Sequence, residues 1–375
     1  MVDSENMPGL MRAPRTLVAA ACLLAALAAL AGCGGDHGSE GGGKRPAPPD
    51  ASTPAPPKSA FPATEGRTLR QILQSADGPA ELKVQPQAMV FNVGLNRYPF
   101  GVTERSSAQR EGEEVDDAEV AIYYSKVPSA QGKRSQRGVK GAVAKAAGEA
   151  LDQPAVGPFP AKIETLATEP RFEAKSTAGD PDAARVVYSA QIPLPEQGQW
   201  RLAALIKEDG ELRATPPLTS ANVGEFDAVP RVGEQAPLIH TPTAQDVGGE
   251  ASKITTRIPP DTQNEVDYAD ALGKEPILLL FATPKFCQSR VCGPVVDVAE
   301  QAKAKFGKEA RFIHMEIYND SDPSDLTVLP QVRTFHLPSA PWLFAIDSEG
   351  VVKAAIEGGF GTELMDEAVE KAVSG

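Results

Sequence analysis

The chain has few cysteines, little basic charge and no apolar run long enough for a comfortable transmembrane helix. Its 375 residues include 37 Lys and Arg against 50 Asp and Glu, which gives a net charge of −13. Phosphate binding requires a basic surface, so nucleic acid is excluded as an expected partner. The apolar run Leu17–Ala31 is shorter than the ~20 residues that span a bilayer. In the first half of the chain, no group of His, Asp and Glu has the spacing of a metal or catalytic site, and we expect no cofactor.

The N-terminal residues have the pattern of a targeting segment. Arg12 and Arg15 precede the apolar run, which ends in Leu30-Ala31-Gly32-Cys33. These four residues resemble a bacterial lipobox. The resemblance implies that Cys33 is diacylated and becomes the mature N-terminus. Two acyl chains give stable anchoring, so we expect a protein held on the extracytoplasmic face of the cell membrane. The alternative is an ordinary secretory signal with an incidental cysteine.

Residues 34–225 contain no cysteine. A Gly- and Pro-rich segment comes first and is followed by short segments with strand patterns. Residues 34–67 cannot bury a core, so we expect a disordered tether. After a short helix at Thr68–Gln74, several segments alternate apolar and polar residues, and Asp209-Gly210 is a hairpin signal. This pattern favours a β-sandwich, and Gly198-Gln199-Trp200 resembles immunoglobulin-like domains of bacterial envelope proteins. The predicted strands are Ala88–Leu95, Val120–Tyr124, Arg185–Ile192, Trp200–Lys207 and Glu211–Ala214.

Cys22 lies in the predicted signal peptide and is expected to be lost, so the stretch from Ile277 to Pro294 contains the two cysteines that remain besides Cys33. Ile277–Phe281 is uniformly apolar, which predicts a strand buried on both faces of a parallel or mixed sheet. Beyond it, apolar residues recur with helical spacing, so we expect a helix with Pro294 at its first position and Gly293 as its N-cap. Cys287 and Cys292 then lie between a buried strand and a helix N-terminus, where amide groups favour a thiolate.

The same stretch resembles the thioredoxin-like superfamily. In that family a redox cysteine follows a buried strand and precedes a helix, often within Cys-Gly-Pro-Cys. This chain has Cys292-Gly293-Pro294, and its second cysteine, Cys287, lies upstream. A cis-proline opens a later strand beside the redox cysteines in the family, and Pro341 matches that position. The resemblance covers about Val232–Gly375, in which the predicted helices and strands follow the thioredoxin order.

The resulting fold class is an α/β thioredoxin-like C-terminal domain preceded by an all-β, immunoglobulin-like sandwich domain. We expect a signal peptide with lipobox, a tether, the sandwich, a proline-rich linker and the thioredoxin-like domain. Their predicted boundaries are 1–33, 34–67, 68–225, 226–260 and 261–375.

The resemblance implies a thiol–disulfide oxidoreductase that uses Cys287, Cys292 and Pro341 and acts on the thiols or disulfides of envelope proteins. Cys292 is expected to attack a partner disulfide, because it directly precedes Gly293-Pro294. Cys287 then resolves the mixed disulfide. The reverse assignment stays open, because Phe286-Cys287 also resembles the aromatic-Cys pair that begins a thioredoxin motif.

Other functions remain open at the sequence level. The two cysteines could form a permanent disulfide, although so small a loop stabilises by only about 2 kcal/mol in the entropic model. A redox-silent binding lipoprotein would carry such a bridge. A Sco-like copper protein would bind Cu(I) through Cys287, Cys292 and a histidine, with His336 the first candidate and His314 the second. A peroxidase is disfavoured, because Thr283 lies four residues before Cys287 and peroxiredoxins have a threonine three before the reactive cysteine.

Overall fold

The computed structural model describes residues 46–105, 112–128, 145–216, 218–318 and 326–375. The predicted signal peptide, the lipidation site Cys33 and the first residues of the tether lie outside this set. Residues 42–375 form one compact unit. Within the described residues, no helix is both long and apolar enough to cross a membrane.

Two antiparallel-rich sheets make up the first part of the described chain. One sheet has the order β2-β3-β7-β6, and the other has the order β1-β9-β8-β4-β5 with β10 paired to β8. The strands are β1 (Gly78–Pro79), β2 (Leu82–Pro86), β3 (Gly94–Glu104), β4 (Glu119–Lys126), β5 (Val156–Pro160), β6 (Lys162–Thr165), β7 (Val186–Leu194), β8 (Gly198–Glu208), β9 (Glu211–Ala214) and β10 (Ala221–Val223), with the short helices α1 (Leu69–Gln74) and α2 (Lys175–Ala178).

The two sheets share one aromatic-rich core. Phe100 of β3 stacks on Tyr188 of β7, with 5.5 Å between ring centroids. Tyr124 of β4 meets Trp200 of β8 edge to face, and all four residues belong to one buried cluster. The hairpin signal is confirmed, since Asp209 and Gly210 join β8 to β9 with positive φ angles of 50° and 81°. A β-rich first part is therefore correct, whereas its immunoglobulin-like character stays a prediction.

Two local predictions differ from the structure. The strand placed at Ala88–Leu95 is wrong, since β3 begins only at Gly94 and residues 87–93 form an irregular segment. The sequence predicts a disordered tether that extends to residue 67. Instead, Thr53 pairs with Ile163, and Phe61 is buried against the β4–β8 sheet. The aromatic ring of Phe61 removes a large apolar surface from water, which the smaller side chains of the neighbouring Pro and Ala residues cannot do.

The second part is a four-stranded mixed sheet with helices on both faces. Its order is β12-β11-β13-β14, with β11 parallel to β12 and antiparallel to β13. As predicted, β11 is buried on both faces. Leu278 and Leu280 pack with α4 and α6, while Ile277 and Leu279 pack on the opposite side. The elements are α3 (Tyr268–Ala271), β11 (Ile277–Phe281), α4 (Cys292–Phe306), β12 (Arg311–Met315), α5 (Pro330–Thr334), β13 (Trp342–Ile346), β14 (Val352–Glu357) and α6 (Thr362–Ser374).

The segment predicted as a linker is packed into the protein. Val229 and Ile239 are buried in the core on one face of the second sheet. Arg257 is buried too, with its guanidinium 2.8 Å from the Asp297 carboxylate of α4 and 2.6 Å from the Phe172 carbonyl of the first part. Residues 226–260 therefore hold the two parts together through buried contacts. Whether the two parts also fold as separate domains with the predicted boundaries stays a prediction.

Candidate active site

The cysteine loop, residues 282–291, connects β11 to α4 and is held by the first part of the chain. The Ala184 amide donates to the Arg290 carbonyl at 3.0 Å, and the Arg290 guanidinium lies 3.4 Å from the Asp180 carboxylate. Arg290 has a positive φ of 59°, a conformation uncommon for a residue with a side chain. Since the contacts at Ala184 and Asp180 fix this turn, the first part contributes to the shape of the loop.

The helix after the loop begins two residues earlier than predicted. The Val295 amide donates to the Val291 carbonyl at 3.0 Å, so α4 starts at Cys292. Gly293 and Pro294 lie inside its first turn, which corrects their predicted positions as N-cap and first residue. Cys292 is fully buried and Cys287 is 8 % exposed. The N-terminal amides of α4 therefore face back toward Cys287.

The two sulfurs have different electrostatic surroundings. The Cys292 amide points at Cys287 Sγ, with an N–S distance of 3.3 Å, and the Ser289 hydroxyl lies 3.4 Å from the same sulfur. The hydrogen bond from the Cys292 side chain, helped by Ser289 and backbone amides, outweighs burial and lowers the pKa of Cys287 to about 6. Burial raises the pKa of Cys292 well above its usual value, and the charge on Cys287 raises it further. These opposite shifts favour ionisation of Cys287 before Cys292.

Buried polar groups lie behind Cys292. The Glu316 carboxylate accepts hydrogen bonds from the Thr256 amide and hydroxyl, both at 2.9 Å, and its charge also raises the pKa of Cys292. His314 lies on β12, two residues before Glu316, and contacts the Asp261 carboxylate at 2.8 Å and the Ala282 carbonyl at 3.2 Å. Burial alone would lower the pKa of His314, but Asp261 raises it to about 9. A protonated His314 donates from both ring nitrogens and helps fix the start of the cysteine loop.

A groove of about 560 Å³ opens at Cys287. The cysteine loop forms one wall, and the residues that precede Pro341 form a second. Residues 85–89 of the first part form a third wall. The bond between Ala340 and Pro341 is cis, as the resemblance implied, and Ala340 lines the groove. The Thr283 hydroxyl, also in the lining, is buried and has no hydrogen-bond partner among the described residues.

His336 does not line the groove at Cys287. It lines a neighbouring cavity of about 460 Å³, which shares Val328 and Leu337 with the groove but does not include Cys287. Within the ranges that the structure describes, His, Cys, Asp and Glu form no group of three or more that could hold a metal ion. The three-ligand copper site of Cys287, Cys292 and His336 is therefore not assembled.

Sequence reasoning missed three contributors to the site. Ser289 lies two residues after Cys287, so proximity alone could have suggested it. Glu316 directly follows the buried residues of β12, and a charged residue at such a position is a usable signal of a buried polar site. No local signal points to the wall at residues 85–89, because it approaches Cys287 only through the tertiary fold.

Comparison with known proteins gives little further information. No protein-family model and no curated protein sequence matches the chain. One solved structure to which it is similar is a chain provisionally assigned as the thiol:disulfide interchange protein DsbE from Chlorobium tepidum. The similarity covers 38 % of this chain and 99 % of that one, with 18 % identity and a TM-score of 0.27. A score this low does not establish a shared fold. The thioredoxin-like interpretation therefore rests on the sheet order, the cysteine loop and Pro341.

Proposed function

We propose that this chain is a membrane-anchored, extracytoplasmic thiol–disulfide oxidoreductase in which Cys287 attacks and Cys292 resolves. The observation that carries the proposal is the asymmetry of the two sulfurs. Cys287 borders an open groove and receives hydrogen bonds that stabilise its thiolate, whereas Cys292 is enclosed at the start of α4. A low-pKa thiolate with access to a groove is the form of cysteine that attacks disulfides. These roles reverse the assignment that Cys292-Gly293-Pro294 suggested.

The proposed exchange conserves atoms and electrons in two steps. The Cys287 thiolate attacks one sulfur of a partner disulfide, a mixed S–S bond forms, and the partner's other sulfur leaves as a thiolate that takes a proton from water. Formation of the mixed disulfide removes the negative charge that had raised the pKa of Cys292. Cys292 then gives its proton to water, and its thiolate attacks Cys287 Sγ, so that the intramolecular S–S bond forms, the mixed S–S bond breaks and the partner's second sulfur leaves as a thiolate. The partner gains two electrons and the cysteine pair loses two.

A second dithiol must restore the reduced pair after each reductive cycle. An envelope protein with a reactive dithiol is the class of partner that fits, because exchange between the two pairs again balances two electrons. The reverse sequence would oxidise a dithiol substrate and pass its electrons to a disulfide acceptor.

The membrane location is supported by the sequence alone. Leu30-Ala31-Gly32-Cys33 has the residues of a lipobox, and a Gly-rich segment follows it. Diacylated Cys33 would hold the folded part near the extracytoplasmic membrane surface, within reach of envelope proteins.

Two measurements on the reduced protein test the enzyme proposal. It should reduce bis(2-hydroxyethyl) disulfide, a small uncharged substrate that can approach Cys287 without specific recognition. The reduction potential of the Cys287–Cys292 couple should lie above about −300 mV. A lower potential together with no exchange would identify the pair as a structural bridge.

A further inference from the structure

The groove at Cys287 is built by both parts of the chain. Residues 85–89, which include the last two residues of β2 and the three that follow, face the cysteine loop and the residues before Pro341 across the opening. The side chain of Met89 is 47 % exposed there, although most large apolar residues of the first part are buried. An apolar side chain left uncovered at the opening of a reactive site is available to a ligand.

Hydrogen bonds fix this third wall to the second part. The Glu357 carboxylate accepts from the amides of Met89 at 2.8 Å and Val90 at 3.0 Å. The same carboxylate accepts from the Ser339 hydroxyl, which belongs to the wall before Pro341. The Gln87 side-chain oxygen accepts from the Gly359 amide at 3.0 Å. The two walls therefore have a defined separation, and a preformed groove loses less entropy when a ligand binds.

Apart from Cys287 itself, the described lining of the groove carries no charged side chain, although the protein as a whole has a net charge of −13. Its other members are apolar, such as Met89, Phe286 and Leu337, or neutral and polar, such as Gln288 and Ser289. A charged ligand group would lose water on entering and, beyond Cys287, would find no opposite charge among these residues. Walls that combine apolar surface with amide and hydroxyl groups suit the backbone and uncharged side chains of an extended peptide.

We infer that residues 85–89 select the substrate of this site, which is a partner protein whose reactive cysteine lies in an extended segment with uncharged neighbours. This inference rests on the proposed function, because the segment enters the groove in order to bring its sulfur to Cys287. Met89 contacts the residues that flank the partner cysteine. Substrate selection by the first part would also account for the packing of the two parts into one unit.

Three disulfide-linked peptide substrates test the inference with full-length protein. They differ only in the residues that flank the cysteine, which are apolar, acidic or basic. The wild-type protein should exchange with the apolar peptide at a kcat/KM at least about fivefold above that for either charged peptide, because charge desolvation opposes their binding. Met89→Lys should raise the acidic-to-basic ratio of kcat/KM by about fivefold, and Met89→Glu should lower it similarly. Val93→Glu, which adds the same charge at an exposed apolar position of the first part, should leave the ratio at the wild-type value.

The possible failures are distinguishable. Equal exchange with all three peptides, or unchanged ratios in both Met89 variants, overturns the inference while exchange with bis(2-hydroxyethyl) disulfide keeps the proposed function. If the wild-type protein does not exchange with that small disulfide either, the proposed function fails and the inference fails with it. The two Met89 variants are expected to shift the acidic-to-basic ratio of kcat/KM in opposite directions. A general loss of folding in one of them therefore cannot produce the expected result.

Discussion

The backbone amide of Cys292 points at the sulfur of Cys287, with an N–S distance of 3.3 Å. Because α4 begins at Cys292, the backbone amide of this residue is one of the free N-terminal amides of the helix. It points toward Cys287 in the cysteine loop. One residue thereby has two roles, since the side chain of Cys292 also donates a hydrogen bond to Cys287. Under the proposed function, this arrangement makes Cys287 the attacking thiolate and Cys292 the resolving thiol.

The first prediction concerns the pH dependence of alkylation. In the reduced protein, reaction of Cys287 with iodoacetamide should rise with a midpoint near pH 6, because the rate follows the thiolate fraction and the pKa is lowered to about 6. Peptide mass spectrometry at a series of pH values measures each cysteine separately. Cys292→Ala should move the midpoint upward, whereas Cys292→Ser keeps a donor and should move it less. A Cys287 midpoint near 9 in the wild-type protein would refute the assignment.

The local sequence pattern was sufficient for much of the second part. The uniformly apolar run Ile277–Phe281 predicted a buried strand, and the resemblance of Pro341 to the cis-proline of the thioredoxin-like superfamily predicted the cis bond correctly. The roles of the two cysteines were harder to predict from the sequence. They depend on where α4 begins, and the Gly293-Pro294 pair suggested a start two residues too late.

The first part shows a different limit of sequence reasoning. The strand β3 contains Pro99 and Gly101, residues that normally argue against a strand, so the prediction stopped at Leu95. Strand β2 ends in Pro86 and was not predicted for the same reason. The Glu357–Met89 hydrogen bond joins positions 268 residues apart, and no local pattern contains such a contact.

The second prediction concerns Glu357. Burial raises the pKa of its carboxyl to about 7, although the hydrogen bonds from Ser339, Val90 and Met89 oppose that shift. A raised carboxyl pKa contributes stability that is complete below about pH 4.5 and is lost as the pH rises through about 7. Glu357→Gln removes this ionisation. The variant should therefore gain stability relative to wild type between pH 5 and pH 8, by an amount on the order of 3 kcal/mol.

Urea unfolding at a series of pH values measures the difference between wild type and Glu357→Gln. Glu349→Gln, at an exposed position in the turn before β14, is the matched control. A difference between wild type and Glu357→Gln that stays constant with pH would show that the Glu357 carboxyl does not titrate in this range.

The third prediction concerns the buried pair of Arg257 and Asp297. Arg257→Met leaves the Asp297 carboxylate without its cation at a position that is 2 % exposed. Breaking such a pair typically costs about 3–5 kcal/mol, because one buried charge loses its partner. Urea unfolding at pH 7 should show this loss. Arg70→Met, which breaks an exposed ion pair with Asp152, should have a much smaller effect. A small effect at Arg257 would mean that residues 226–260 contribute little to holding the two parts together.

The fourth prediction concerns the anchor. Mass spectrometry of protein purified from membranes should find a mature chain that begins at a diacylated Cys33. Cys33→Ser should release the protein from the membrane fraction, since the glyceryl group that carries the two acyl chains is attached to the cysteine sulfur through a thioether. An unmodified N-terminus at any other residue would contradict the lipobox assignment.

The central claim is that Cys287 attacks and Cys292 resolves, and trapping of mixed disulfides with the paired serine variants tests it most directly. Cys292→Ser retains the attacking thiolate but cannot release the partner, so it should accumulate mixed disulfides that non-reducing electrophoresis resolves and a reductant removes. Cys287→Ser retains only the buried Cys292 and should trap few. The account predicts that the first variant traps substantially more partner than the second. The opposite order, or no mixed disulfide in either variant, would contradict it.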